Sequence, residues 1–405
     1  MHVLHDAVKP ASVLRSAPFV RLWTATTASG MATWALPFVL GLAVLDRSLT
    51  AIELGVLLAA RTAGFLAAVP VSGVLADRYA RRQVVLWSGL GAAVAAPVIA
   101  FGIDRSLLLM TAAVVVMGAG QGACRPAFQA LTAEVVTDGQ RQQANAAMTL
   151  AVRVTTLVAP SLVALLALVV NTPVLLLGIG ALWLAAALIP PGGTHRPEVP
   201  VAKPRFWTEF ADGVREARRH PWFLAGLGAL TLVIATGYSA TGVVLPLVSR
   251  DRYGTEAVLA AAMTAYTVGA LAGALLIARW RPRAQGWIAL AGLALYGFAP
   301  LSLLLPVHPA LVVAAYVFAG VGIELFNVPW FTATQREVEP DKLARVSSLD
   351  FLLSYGLAPV GLALIAPAIQ EFGATAVLAV CAVVCFAAPA VAALVPSSRE
   401  FRVQR

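Results

Sequence analysis

Gly73-Val74-Leu75-Ala76-Asp77-Arg78-Tyr79-Ala80-Arg81-Arg82 joins an apolar run that ends near Leu75 to another that begins at Val84. Because this connection is short, the two runs are predicted to form antiparallel neighbouring helices. Its three arginines are costly to place in hydrocarbon, so the connection marks one face of a membrane.

The bulk composition excludes a soluble globular protein. Of the 405 residues, 60% are hydrophobic and only 12% are charged, whereas soluble domains carry about 25% charged residues. The net charge of +9 comes from arginines in short clusters between apolar runs, without a basic domain, and argues against nucleic-acid binding. The three cysteines lie within apolar runs and indicate neither a disulfide framework nor a metal site.

Twelve apolar runs of transmembrane length can be placed between Leu22 and Val395. About 20 residues are needed to cross roughly 30 Å of hydrocarbon as a helix. Open strands would leave unsatisfied amides in lipid, and the runs are about twice as long as the strands of a membrane barrel. The predicted fold class is therefore an all-α membrane protein with twelve transmembrane helices.

The charges in the connections predict the orientation. The side that holds the N-terminus carries 22 of the 29 lysines and arginines, and the other side carries four. Positive residues are retained on the cytoplasmic side, so both termini are predicted to be cytoplasmic, in the plasma (inner) membrane. The first run follows Arg21 and is too long for a signal-peptide core, so we interpret it as an uncleaved span.

The chain divides into two similar halves. Residues 1–190 hold six runs, residues 222–405 hold six more and a short tail, and residues 191–221 form a charged, proline-rich linker. Three pairs of positions recur at a nearly constant offset, namely Gly73 and Gly273, Gly118 and Gly320, and Pro160 and Pro359. The halves are therefore predicted to be six-helix bundles related by pseudo-twofold symmetry. Apolar residues at helical spacing from Phe206 to Ala217 predict an amphipathic helix on the membrane surface within the linker.

The opening connection resembles the signature between the second and third spans of the major facilitator superfamily, Gly-x-Leu-Ala-Asp-Arg-x-Gly-Arg-Arg. Seven of its eight specified positions are present, and Ala80 replaces the second glycine. The resemblance covers the whole span pattern and implies a transporter that works by alternating access. A narrower resemblance, to the exporter branch that includes siderophore and macrolide efflux proteins, is carried by Phe19–Trp23, Pro126–Leu131, Arg219–Pro221 and Gln335–Ser348.

Two motifs of proton-coupled exporters are missing from their expected places. The antiporter signature of span five aligns on Pro160 but lacks its glycines. The arginine that many exporters carry in span four would fall at Gly118, and Arg125 lies further along the same span. The resemblance therefore implies export without carrying over the usual proton-coupling arginine.

Ionisable residues at membrane depth are the strongest functional candidates, because a charge there costs about 3 kcal/mol and normally faces a wet cavity or a partner. Arg61, Arg125, Arg153 and Glu324 are such residues. Glu324 shares a helix face with Asn327, and the resemblance implies that span ten lines a central cavity. We expect Glu324 either to bind the coupling proton or a cationic substrate, or to be a structural carboxyl paired with an arginine.

Each of the other candidates has a purely structural interpretation beside the functional one. The three arginines either compensate Glu324, bind an anionic substrate or bond to backbone carbonyls at helix contacts; Arg125 can alternatively extend its charged end to the membrane interface. By placement alone, Gln121, Trp34 and Tyr238 are further cavity residues, with ordinary helix packing as the alternative. Pro160 and Pro359 occupy matching places in spans five and eleven and are hinge candidates.

The opening connection is also predicted to form half of a cytoplasmic gate. Asp77 would lie at the positive N-terminal end of span eleven, while Arg81 would reach Asp350 or Glu134. Ser347 and Asp350 additionally fit a capping box at the start of that span. The predicted gate residues are Asp77, Arg78, Arg81, Arg82, Glu134 and Asp350.

No enzyme motif is present. The lysines follow no glycine-rich phosphate loop, so transport would draw on an ion gradient, and the histidines form no metal-binding pair. No cofactor or metal is predicted. The sequence predicts a monomeric secondary transporter in a lipid bilayer that exports a small amphipathic molecule, such as a drug, siderophore or other natural product, by proton antiport. An importer or uniporter of the same fold, and a transport-inactive membrane sensor or scaffold, are the alternatives.

Overall fold

A computed structural model of the chain describes residues 12–193, 206–255, 257–280, 282–356 and 358–402. The α-helices found in these residues are α1 (Ala17–Leu45), α2 (Ala51–Arg78), α3 (Arg81–Gly102), α4 (Leu107–Val135), α5 (Arg141–Leu166), α6 (Thr172–Leu188), α7 (Phe206–Arg218), α8 (Pro221–Val233), α9 (Ser239–Asp251), α10 (Ala257–Arg279), α11 (Gln285–Ala294), α12 (Phe298–Leu304), α13 (Pro309–Glu337), α14 (Leu343–Gly356) and α15 (Ala358–Ala393).

Most of the predicted membrane helices are present among the described residues. Among the described residues, ten helical stretches are long and apolar enough to cross a membrane, and α6 is a shorter apolar helix. A π-helical segment, Ile234–Tyr238, joins α8 to α9 in one continuous stretch. Helix α15 is kinked at Gly373, whose φ of +80° is readily adopted only by glycine. These helices confirm a multi-pass, all-helical membrane protein, while the twelve-span count stays a prediction.

Span eleven begins earlier than predicted. Helix α14 starts at Leu343, so Ser347 and Asp350 lie in its interior rather than at its first turn. The capping box predicted for this pair is therefore wrong. A Ser-x-x-Asp pattern is compatible with a helix start at any position in a sequence. In this chain the pattern lies inside α14, which has already begun at Leu343.

The helices pack in two groups. Helices α1 to α6 contact one another, with α2 and α3 against α4, whereas α8 to α15 form a second group with α10 and α11 against α13. Matching glycines allow two helix pairs to approach closely. A Cβ on Gly118 would lie 2.0 Å from the carbonyl oxygen of Arg61, and a Cβ on Gly320 would lie 2.0 Å from that of Tyr266. Each group thus contains a helix pair whose backbones touch through a glycine.

The two groups meet near the face that carries the first and last described residues, which we call the terminal face. Helix α14 packs on α2 and α4, and α5 packs on α10 and α13. Phe351 of α14 shares an apolar cluster with Phe65 and Val69 of α2. The linker helix α7 contacts α2 in the first group and α8 and α14 in the second. The terminal face is therefore closed in this structure.

Candidate functional site

A cavity of about 140 Å³ lies between the helices and contains most of the predicted site residues. Its walls come from α1, α4, α5, α6, α13 and α14. The predicted residues that line it are Trp34, Gln121, Arg125, Arg153, Glu324 and Asn327. The fold thus brings together, from distant parts of the chain, residues that the sequence singled out separately.

An ion pair between the two helix groups crosses one wall of the cavity. Nε and Nη2 of Arg153 on α5 each lie 2.6 Å from Oε1 of Glu324 on α13. The Glu324 carboxylate is fully buried, whereas the Arg153 side chain is 21% exposed. The other carboxylate oxygen, Oε2, is buried without a hydrogen-bond partner. Burial favours the neutral carboxyl and the arginine favours the charged one, so these two effects oppose each other at this residue.

A second arginine supports the cavity wall from behind. Nη2 of Arg61 on α2 donates to Oε1 of Gln121 at 2.6 Å and to the carbonyl oxygen of Thr33 at 3.2 Å. Arg125 lines the cavity directly, with its guanidinium 5.9 Å from the centre of the Phe65 ring. Among the described residues, the cavity and its immediate support therefore hold three arginines and one carboxylate.

Aromatic side chains give the cavity an apolar part. Trp34 is 38% exposed and lines the cavity with Phe128 and Phe331. Tyr238, also predicted to face the cavity, lies in the π-helical segment and is 48% exposed, but it is not among the lining residues. The cavity therefore combines charged, amide and aromatic surfaces without Tyr238.

Arg81 of the opening connection is buried at the terminal face and bridges the two groups. Its Nη1 lies 2.7 Å from Oε1 of Glu134 and donates to the carbonyl oxygen of Ala130 at 3.1 Å, both on α4. Its Nη2 donates to the carbonyl oxygen of Pro340, between α13 and α14. Arg82 remains within the first group, where it donates to the Pro190 carbonyl oxygen at 2.8 Å.

Other predicted gate and hinge residues occupy different surroundings. Asp350 accepts hydrogen bonds from Trp330 Nε1 at 3.2 Å and from Ser354 Oγ at 3.1 Å, rather than from an arginine. The side chains of Asp77 and Arg78 lie outside the described part of the structure, as does that of Pro359 on α15. Pro160 lies within the continuous helix α5.

A cluster of buried amides, which the sequence did not single out, connects α5 to the second group beside Arg81. Asn145 Nδ2 donates to Gln335 Oε1 at 3.0 Å, and Gln335 Nε2 donates to Asn145 Oδ1 at 3.3 Å and to the Gln129 carbonyl oxygen at 3.2 Å. Gln142 Nε2 donates to the Trp280 carbonyl oxygen at 2.8 Å. We call Asn145, Gln142 and Gln335 the amide latch. Polar residues in the first turns of an apolar helix were the only available sequence signal.

A buried carboxylate anchors the linker helix to the same face. Glu216 on α7 lies 3.1 Å from Lys342 Nζ and 3.1 Å from Arg219 Nη1. Burial acts to raise the pKa of Glu216, but Lys342, His220 and Arg219 together lower it below its usual value. Hydrogen bonds to Glu339 and Glu216 raise the pKa of Lys342. Both members of the Glu216–Lys342 pair therefore stay charged over the neutral pH range.

A family model described as the Major Facilitator Superfamily matches residues 22–361 and 232–402 of the chain. Among solved structures, the human organic anion transporter MFSD10 (TETRAN) is similar, with a TM-score of 0.73, 16% identity, and coverage of 93% of this chain and 99% of that one. A bacterial homologue of the iron transporter ferroportin in an outward-facing state is similar with a TM-score of 0.70, 15% identity, and coverage of 94% and 98%. Comparison with curated protein sequences found no significant match.

Proposed function

Since the chain belongs to the major facilitator superfamily, we propose that it is a secondary transporter that exports a small amphipathic molecule in exchange for protons by alternating access. Family membership indicates a membrane transporter rather than an enzyme. The proposed architecture has twelve transmembrane helices in two six-helix bundles related by pseudo-twofold symmetry. The bundles comprise residues 1–190 and 222–405, and the linker at 191–221 joins them. The proposed transporter is a monomer in the plasma (inner) membrane, with the terminal face in the cytoplasm, as the charge asymmetry of the connections favours.

The Arg153–Glu324 ion pair is the observation that carries the proposal. It joins the two helix groups inside the cavity, and its carboxylate is fully buried. A proton that reaches Glu324 from the outside would neutralise the carboxylate and remove the ionic link between α5 and α13. Deprotonation toward the cytoplasm would restore it. Proton binding and the relative position of the two groups are thereby coupled.

The remaining cavity residues fit an amphipathic substrate. Trp34 and Phe331 offer apolar contact, and Gln121 and Asn327 offer hydrogen bonds. In the exchange cycle, the substrate enters from the cytoplasm after the amide latch and the Arg81 contacts have parted, and it leaves when the terminal face has closed again. The proposal assigns the closed terminal face to the outward-facing state of that cycle.

Uptake together with protons is the second candidate, and the charge of the cavity favours it. Three arginines against one carboxylate attract an anion. Protonation of Glu324 would increase this attraction, because it removes the one negative charge and releases Arg153 to bind the substrate. A proton and an anion would then bind together and travel in the same direction, whereas exchange requires that proton and substrate exclude each other.

Purified protein in liposomes with an imposed pH gradient tests the proposal. We expect efflux of at least one compound from a panel of dyes, antibiotics and siderophores, with loss of its pH dependence in Glu324→Gln. Glu371→Gln, which changes an exposed carboxylate, is the matched control and should transport normally. Uptake driven by the same gradient would select the second candidate, and no flux of any compound in either direction would leave the sensor or scaffold alternative.

A further inference from the structure

The chain returns beneath the second helix group after α15 ends. The segment Pro396–Arg402, which we call the C-terminal hook, carries the fully buried Phe401. Phe401 has φ +49°, a left-handed conformation that is unfavourable for a bulky residue. Arg336, at the end of α13, donates to the carbonyl oxygens of Glu400 at 3.3 Å and Phe401 at 3.1 Å. These contacts hold the hook in a conformation that the isolated chain would rarely adopt.

The Phe401 ring completes an aromatic cluster inside the second group. Its centre lies 5.3 Å from that of Trp222 on α8, 5.7 Å from that of Trp330 and 6.4 Å from that of Phe326, the last two on α13. Trp330 is also stacked on Phe223 at 4.9 Å. All these rings are buried, so the orientation of Trp330 depends on Phe401 filling its place beside it.

Trp330 connects the cluster to the interface between the two groups. Its Nε1 donates to Oδ2 of the buried Asp350 on α14 at 3.2 Å. The next residue, Phe351, packs against Phe65 and Val69 of α2 in the other group. Three contacts therefore lead from the hook to the surface on which α14 meets α2.

We propose that Phe401 is a positioning residue, and that the C-terminal hook fixes Trp330 and Asp350 so that α14 stays docked on α2 when the terminal face is closed. This inference rests on the alternating access of the proposed function. A shortened or altered hook would weaken the closed state although it touches neither the cavity nor the first helix group.

Opening of the terminal face can be measured with a cysteine at Ala146. This residue is 4% exposed and packs across the group interface against Ile277 and Val328. The three natural cysteines are buried, but Cys124 lines the cavity and would be reached when the terminal face opens. All variants therefore carry Cys124→Ala, which gives a low background with a membrane-impermeant maleimide. In lipid nanodiscs, we expect Phe401→Ala to increase the labelling rate of Ala146→Cys about tenfold, since an aromatic contact of this kind is worth up to about one factor of ten. Phe401→Leu should give a smaller increase, and Leu394→Ala, which changes a 79% exposed residue of the same region, none.

Two further measurements distinguish a loss of positioning by Phe401 from unfolding of the protein. In the Cys124→Ala background, Phe401→Ala without the introduced cysteine must remain unlabelled, and labelling of Cys381 or Cys385 there would show unfolding and overturn the proposal. In an Asp350→Ala background, which removes the acceptor of the Trp330 hydrogen bond, the effect of Phe401→Ala should shrink, because both substitutions act through this contact. If the two substitutions multiply the labelling rate independently, the hook acts on the interface by another route, and this result would also overturn the proposal.

Gln335→Ala distinguishes failure of this inference from failure of the proposed function. It disrupts the amide latch directly and should expose Ala146→Cys whatever the hook does. Faster labelling in Gln335→Ala but not in Phe401→Ala or Phe401→Leu refutes the hook and leaves alternating access intact. Unchanged labelling in all three refutes both the hook and the amide latch as contacts that hold the terminal face closed, whereas the liposome transport assay decides the proposed function.

Discussion

The amide latch allows the stability of the closed terminal face to be estimated. Gln335 is buried and makes three hydrogen bonds to the first helix group: it donates to Gln129 O and to Asn145 Oδ1, and it accepts one from Asn145 Nδ2. Each such bond contributes about 1 kcal/mol net. In the open state water would bind the same groups, so the bonds stabilise only the closed state. Gln335→Ala should therefore destabilise closure by about 3 kcal/mol, which is on the order of 100-fold in the ratio of closed to open protein.

The labelling rate of Ala146→Cys in nanodiscs measures this shift directly, as long as closure is fast relative to labelling. Gln83→Ala is the matched control, because Gln83 is an exposed glutamine at the start of α3. We expect a large increase for Gln335→Ala and none for Gln83→Ala. Equal rates in the parent and in Gln335→Ala would show that the amide latch does not hold the terminal face closed, and would refute the reasoning.

Three further predictions concern individual contacts. Arg153→Gln should lower the melting temperature in detergent more than Glu324→Gln, because it leaves a fully buried carboxylate without its partner, a loss of about 3–5 kcal/mol; the reverse order would show that Glu324 is neutral in the resting protein. Because the folded pKa of Glu216 is lowered and that of Lys342 is raised, their contact should stabilise docking of α7 from about pH 4.5 to about pH 10 and weaken outside that window; protection factors of the α7 amides, corrected for the intrinsic pH dependence of exchange, that change between pH 6 and 8 would contradict this. Gly118→Ala should separate α2 from α4 and cost about 1–3 kcal/mol, because its Cβ would overlap the Arg61 carbonyl oxygen, whereas Gly178→Ala, at an open position, should melt like the parent.

The sequence was sufficient for the membrane class and the family because both depend on patterns along the chain. Apolar runs of helical length and the charged connection ending at Arg82 are local features. The four ionisable residues at membrane depth were also identifiable, since a charge in hydrocarbon is rare enough to be noticed singly. Which arginine pairs with Glu324 was not predictable, because Arg61, Arg125 and Arg153 are equally plausible partners until the helices are placed.

The amide latch and the C-terminal hook escaped prediction for a different reason. Gln142, Asn145 and Gln335 are ordinary residues for the ends of membrane helices, and their contacts depend on segments far apart in sequence. Phe401 follows the last apolar run and looks like part of a polar tail. Local sequence patterns carry no information about such contacts. The capping box predicted for Ser347 and Asp350 shows the opposite failure, since a local pattern there indicated a helix start in the interior of α14.

The charge moved in each cycle would distinguish the two proposed directions. If one proton enters for each uncharged amphipathic molecule exported, one positive charge crosses the membrane per cycle. A potential of 100 mV, inside negative, then contributes about 2.3 kcal/mol, or about 50-fold in the concentration ratio that the protein can sustain. If a monovalent anion enters together with one proton, no net charge crosses and the potential contributes nothing. Liposomes clamped with potassium and valinomycin at a fixed pH gradient measure this difference. A ratio that is independent of the potential would support the anion that the three arginines of the cavity favour, and would contradict proton exchange for an uncharged substrate.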